Sequence, residues 1–245
     1  MPPHSEAGVL GEPESDMPAA EAAGRVADGY ALVLPPGWRR IPVRHGTDEA
    51  IRAILDEVLG RVGTGGDREK LVRSRVELQG RLAAMAARAR EASGVDLYLP
   101  VEYVHGTVIP ASFSVSEGSP GGSPAGSGEP GQAGTAEQLI AYLATADDAT
   151  SLVTVDDAPG IRTEHVAAAD PARDAPLRSR QVDYVVARPG SPDRWLMVVF
   201  STLGDGDPDG QFARILVELF DAIMSTFRWT WPGQEPGAAS EETSQ

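Results

Sequence analysis

The chain reads as an α+β protein: an α/β/α sandwich with a mainly antiparallel sheet flanked by helices and a helical hairpin inserted near the N-terminus. Three observations predict this. Strand-like segments come in pairs around Gly/Pro turns instead of alternating strictly with helices, which favours an antiparallel sheet. Residues 195–200 are apolar on both alternating faces, with Leu196, Val198 and Phe200 pointing one way and Trp195, Met197 and Val199 the other. A strand of that kind needs a layer on each side. Residues 211–229 place Phe212, Ile215, Leu216, Leu219, Phe220, Ile223 and Phe227 on one broad helical face, which supplies one such layer.

The elements follow in order. A short strand at 30–34 meets the turn Pro35-Pro36-Gly37, and 38–43 is extended because the residue before Pro42 is pushed out of the helical region. Thr47 is the expected N-cap of a helix in which Ile51, Ile54, Leu55, Val58, Leu59 and Val62 recur at helical spacing, with Asp48 and Glu49 at its positive end. Gly63-Thr64-Gly65-Gly66 stops it. A longer helix at 67–93 carries Leu71, Leu78, Leu82, Met85 and Ala89 on a stripe that Arg75 interrupts. Strands at 95–103 and 107–115 flank His105-Gly106, and Thr135 with Gln138 has capping-box spacing for a short helix through Leu139, Ile140 and Leu143. Two further pairs, 151–155 with 161–169 and 181–188 with 194–203, turn at 157–160 and 189–193.

Residues 1–28 and 233–245 are polar, acidic segments expected to be disordered tails. Between them, 117–134 has Gly, Ser or Pro at 13 of 18 positions and is expected to be a flexible loop within one domain spanning 29–232. The 245-residue chain has a net charge of −15, which opposes binding to phosphate backbones. It has no cysteine, so disulfides, thiolate metal sites and cysteine nucleophiles are excluded. The longest strongly apolar run is six residues, against the ~20 needed to cross a bilayer. Residues 1–28 have neither a basic n-region nor an apolar h-region, which predicts a cytoplasmic location. Arginine supplies 20 of the 21 basic residues, the composition of a high-G+C bacterial genome.

Few residues form a pattern that carries chemistry. Asp205-Gly206-Asp207-Pro208-Asp209-Gly210 matches the first six positions of a calcium loop, with Asp205, Asp207 and Asp209 as candidate ligands. The match fails at Leu216, where a bidentate acid is required, and the competing reading is an acidic turn with Asp209 as N-cap of the last helix. His4, His45, His105 and His165 have no ligand-spaced partners. Ser112 or Ser201 forms a nucleophilic triad only if the fold brings His105 or His165 to it. Residues 60–66 lack the lysine of a phosphate loop, and no cofactor is expected.

The charge distribution is more informative. Residues 38–90 hold 12 basic and 7 acidic side chains, a net of +5 against −20 elsewhere. The long helix dominates this patch. Arg68, Lys70, Arg73, Arg81 and Arg88 are the candidate contacts for an acidic protein partner, with Trp38, Trp229 or Trp231 as candidate apolar anchors. A solvated helix whose arginines pair with nearby acids is the alternative.

Three stretches carry a family resemblance: Leu34-Pro35-Pro36-Gly37-Trp38, Gly106-Thr107-Val108-Ile109-Pro110-Ala111-Ser112, and Leu219-Phe220-Asp221-Ala222-Ile223 with Thr226-Phe227-Arg228-Trp229. Over roughly 29–231 the chain resembles the PsbP-like α/β/α sandwich and, more narrowly, is similar to actinobacterial proteins of that shape. That class includes a Ran-binding nuclear transport factor, photosystem assembly or stabilising subunits, and bacterial lipoproteins. The resemblance implies binding and adaptor work: a non-enzymatic accessory protein of a bacterial complex, with small-ligand or calcium binding at 205–210 as the alternative. It transfers no functional residue, and the helical hairpin at 47–93 has no counterpart in it.

Overall fold

The computed structural model describes residues 25–61, 68–104, 107–119, 135, 138, 140, 149–170 and 175–233. Among them, in chain order, run β1 (Gly29–Ala31), β2 (Trp38–Pro42), α1 (Thr47–Arg61), α2 (Arg68–Glu91), β3 (Gly94–Pro100), β4 (Tyr103–Val104), β5 (Thr107–Val108) and β6 (Ala111–Gly118). They are followed by β7 (Thr150–Val155), β8 (Ala158–Ala167), β9 (Ser179–Ala187), β10 (Trp195–Thr202), α3 (Gln211–Ser225) and β11 (Arg228–Thr230). Seven strands make one antiparallel sheet in the order β2-β3-β6-β10-β9-β8-β7, and β1-β11 and β4-β5 form two small antiparallel pairs. The fold is an α+β sandwich, as the hairpin pattern predicts.

Strand alternation sorts the side chains into two faces. On one, Phe113, Val115, Val182, Tyr184, Val186, Leu196, Val198 and Phe200 are buried with Leu216, Phe220 and Ile223 of α3. The Phe220 ring stacks on Phe200 at a centroid distance of 4.7 Å and meets Tyr184 edge-on at 5.8 Å. An ion-pair network ties the same helix to the sheet. Arg162 on β8 donates to both carboxylate oxygens of Asp221, at 3.0 and 2.9 Å, and Tyr184 donates to Asp221 at 2.8 Å. Arg162 and Arg180 also donate to Glu164, at 2.9 and 2.6 Å.

On the opposite face, Ile41, Val43 and Leu97 of the β2–β3 region bury against Ile51, Ile54 and Leu55 of α1 and Ala86 of α2. Further along, Ile140 packs with Ile161, Val185, Ala187 and Trp195. Gln138 and Ile140 are helical, and Thr135 and Gln138 exchange both capping-box bonds, at 3.0 and 3.2 Å, as their spacing predicts.

Several expectations are corrected. Residues 25–28 are not a tail: Ala27 is fully buried, its amide donates to Pro189, and Asp28 donates to Thr230. Thr47 opens α1 without capping it, because its hydroxyl donates backwards to the carbonyls of Pro42 and Val43, at 2.8 and 3.2 Å. The β7–β8 turn lies at Asp156-Asp157, both with positive φ, instead of 157–160. Two consecutive left-handed residues suit the right-handed twist of a two-residue hairpin, which puts Pro159 inside β8. The last helix ends at Ser225, because Arg228-Trp229-Thr230 pairs with Gly29–Ala31 as strand β11. Of the expected loop 117–134, Glu117 and Gly118 instead end β6, paired with Leu196 and Trp195, because Glu117 is held by Arg44 and Arg188; residues 1–24, 120–134 and 234–245 lie outside the described residues.

Candidate functional site

The basic helix α2 is packed along one side only. Ala86 is the one fully buried side chain among its described residues, while Leu82 and Ala89 are half-buried against the α1 cluster. Leu78 and Met85, expected on the core stripe, are exposed, as are Val72 and Val76. The helix is anchored by polar ties: Arg75 to Asp56 of α1 at 2.7 Å, and Arg90 to the Val43 carbonyl at 2.9 and 2.6 Å. Of the predicted contact residues, Arg73 and Arg81 pair within the helix with Glu69 and Glu77, at 2.9 and 2.6 Å. Both pairs are highly exposed, so each is worth little to stability. Lys70 and Arg88 are exposed, and Arg68 opens the helix. The structure therefore brings the predicted basic residues to one solvated helix, with exposed apolar side chains among them.

The tryptophans behave differently. Trp38 and Trp229 are core residues, and Trp231 is half-buried against the same cluster, so none stands out as a free anchor.

Two carboxylates of the acidic loop, Asp207 and Asp209, are engaged by neighbouring groups. Asp209 is divided between Arg180 at 3.2 Å and Arg178 at 3.4 Å, and Asp207 accepts the Asp209 amide at 3.0 Å. Arg180 also donates to the Pro208 carbonyl at 2.7 Å, which fastens the loop to β9. Among the described residues, no group of three or more His, Asp and Glu side chains gathers to hold a metal. Nor is Asp209 the N-cap of α3. That position is Gly210, with no side-chain bond, since the Asp209 carboxylate faces the arginines.

A third site emerges from strand register. On the sheet face away from α3, Ser112, Ser201, Gln181 and His165 form one cross-strand row. Ser114, Val199, Asp183 and Thr163 form the next. These side chains are half-buried, except His165, which is exposed. On the same face, the α1–α2 cluster lies towards β2 and β3, and the Ile140 cluster lies further along β8, β9 and β10. His165 Nδ1 sits 4.0 Å from Asp183 Oδ2, while Asp183 Oδ1 is buried without a hydrogen-bond partner. Burial pushes the Asp183 carboxyl above the usual carboxylate range, and the nearby imidazole offsets only part of that rise.

Register also disposes of the serine triad in its direct form. Ser201 and His165 are separated by the whole of β9, about 9–10 Å at the usual strand spacing, and Gln181 stands between them. A nucleophile–base hydrogen bond needs contact at under about 3.2 Å. His105 lies outside the described residues. Sequence reasoning did not single out Asp183 or Gln181. An acid set among Val182, Tyr184, Val185 and Val186 is the signal the sequence offers.

A scan against protein-family models finds no match to the chain, and searches of curated proteins and of solved structures find none. Among the described residues, no helix is long and apolar enough to cross a membrane.

Proposed function

We propose that this is a non-catalytic accessory protein, acting in the cytoplasm as part of a bacterial complex, that docks an acidic protein partner through α2. One observation carries the reading. Of the nine large hydrophobic side chains exposed among the described residues, four (Val72, Val76, Leu78 and Met85) lie on α2. Val72 with Val76 and Leu78 with Met85 lie on the two flanks of the packed Leu82, Ala86 and Ala89 line, and apolar exposure gathered on one helix supports an interaction surface more than singly scattered residues do. The same helix holds seven basic and three acidic residues, so its field selects an acidic partner, while the net charge of −15 on the whole chain disfavours nucleic acid. Likeness to PsbP-like sandwiches supports binding over catalysis by fold analogy alone.

The test is capture by the tagged full-length chain from its host lysate at low and moderate salt, followed by mass spectrometry. It is repeated with Val72→Ser/Val76→Ser and with Arg73→Glu/Arg81→Glu/Arg88→Glu. The expected result is a stoichiometric acidic partner that is weakened by salt and lost from both variants, while circular dichroism and melting temperature are unchanged. Capture retained by both variants overturns the assignment to α2.

A further inference from the structure

The seven-stranded sheet has two edges, β2 and β7, and they are built differently. β2 carries Arg39, Arg40 and Pro42. The carbonyls at and just past its ends are taken: Trp38 accepts from Arg39 at 2.9 Å, Pro42 from Thr47 at 2.8 Å and Val43 from Arg90 at 2.6 Å. Charge, proline and covered backbone are the devices that keep an edge strand from pairing with another chain. β7 (TSLVTV) contains neither a charged residue nor a proline.

Register fixes which backbone groups β7 leaves unused. The Glu164 amide donates to the Ala149 carbonyl, so these two residues form a bonded pair. By antiparallel alternation, Ser151, Val153 and Val155 are then the residues that exchange bonds with β8. Pro159 stands opposite Thr154, at a non-bonded pair, so its missing amide costs β7 nothing. The amides and carbonyls of Thr150, Leu152 and Thr154 therefore point away from β8, and among the described residues nothing bonds to them. The side chains there are open as well. Leu152 is 69% exposed, Ser151 and Thr154 are exposed, and Val153 is half-buried at the rim of the α3 core.

An added strand meets donors and acceptors spaced two residues apart, with Leu152 on one face and Val153 on the other. Its occupant is extended and, opposite those two residues, apolar. Charge sets its ends. Asp156 and Asp157 close the hairpin beside the open edge; Asp157 is exposed, and Asp156 accepts the Trp229 amide at 2.7 Å with Arg228 at 3.6 Å. A second copy is disfavoured, because each chain carries a charge of −15.

We propose that β7 is a strand-addition site for an extended, apolar segment of a partner protein, with a lysine or arginine at the Asp156–Asp157 end. Main-chain bonds hold such a segment and alternate side chains select it. The surface lies at the opposite edge of the sheet from β2 and the α1–α2 cluster, so it goes beyond the α2 reading and does not depend on it.

The experiment titrates the full-length, isotope-labelled chain with the peptide acetyl-Lys-Val-Thr-Ile-Thr-Val-Lys-amide and follows backbone amide shifts and hydrogen exchange by NMR. Without peptide, the outward amides of Thr150, Leu152 and Thr154 exchange faster than those of Ser151, Val153 and Val155. Saturating peptide is expected to slow the outward set about tenfold or more and to leave the other set unchanged. Thr154→Pro removes an outward amide that bonds nothing in the fold, and peptide affinity falls about tenfold. Leu152→Lys gives a similar loss with every backbone group kept, which separates edge blockage from any disturbance of the hairpin by the proline. Asp157→Asn, a residue that suits the positive φ, weakens binding severalfold at low salt and less at high salt. The proposal is overturned by no saturable shift through millimolar peptide, by shifts without protection of the outward amides, or by wild-type affinity in both Thr154→Pro and Leu152→Lys. Protection of those amides that rises with protein concentration in the absence of peptide also overturns it, and assigns the edge to a second copy.

Discussion

Helices α2 and α3 lie on opposite faces of the same sheet and use their apolar residues in opposite ways. Over 15 residues, α3 buries Ala213, Leu216, Val217, Phe220, Ile223 and Met224. Over 24 residues, α2 buries Ala86 and leaves two valines, a leucine and a methionine exposed. The first helix is held by its face; the second is held by ties to α1 and the end of β2, through Arg75 and Arg90. The contrast separates stability from recognition. Apolar side chains that contribute little to the fold are free to serve a partner, and those that form the core are not.

The contrast is broken most directly at Phe220, which is fully buried among three aromatic rings. Phe220→Ala is expected to lower the unfolding free energy by about 3–5 kcal/mol, read by denaturant titration. A loss below 1 kcal/mol, roughly the value for an exposed site, removes the distinction between the helices.

A smaller effect belongs to the ion pairs beneath α3. Burial raises the Glu164 carboxyl, but the bonds from Arg162 and Arg180 outweigh it and hold the group below the usual carboxylate range. Because the folded value lies below the unfolded one, this stabilisation is complete above the unfolded pKa of about 4.3 and is lost as pH falls through the folded value. Glu164→Gln should therefore reduce stability at pH 7 by about 1.5–3 kcal/mol and flatten the acid limb of the stability profile. An unchanged acid limb shows that the network does not couple to folding.

The smallest expected effect is on α2. Val72→Ser/Val76→Ser should shift stability by no more than about 0.5 kcal/mol per site, measured by thermal melting. A larger loss means that these valines are packed and unavailable to a partner.

The legible parts of the fold are those set by local pattern. The β9–β10 hairpin, the apolar face of α3 and the Thr135–Gln138 capping box all follow from spacing within a few residues, while the Gly63–Gly66 stop lies outside the described residues. The misread parts depend on distant partners. Phe227-Arg228-Trp229 continues a helical pattern, yet Thr226 caps the helix through the Ile223 and Met224 carbonyls and the chain turns to pair with β1, nearly 200 residues earlier. Leu78 and Met85 sit at core spacing, but α1 and β3 are met along a narrower line than the stripe assumes. Asp209 has the chemistry of a cap and a ligand, and Arg178 and Arg180 take it for neither.

By itself the sequence determined the antiparallel α+β class, the order of most elements and the basic character of the inserted helix. Periodicity, turn residues and charge are local or additive properties of a chain. Tertiary structure decided which of those residues matter together. Register aligned Ser112, Ser201, Gln181 and His165 across four strands and set Asp183 beside the last of them without a donor. Packing also left Val72, Val76, Leu78 and Met85 of α2 exposed. Neither arrangement is legible in the sequence, because a one-residue slip in strand pairing sends every side chain to the other face, and only the closed core selects the register.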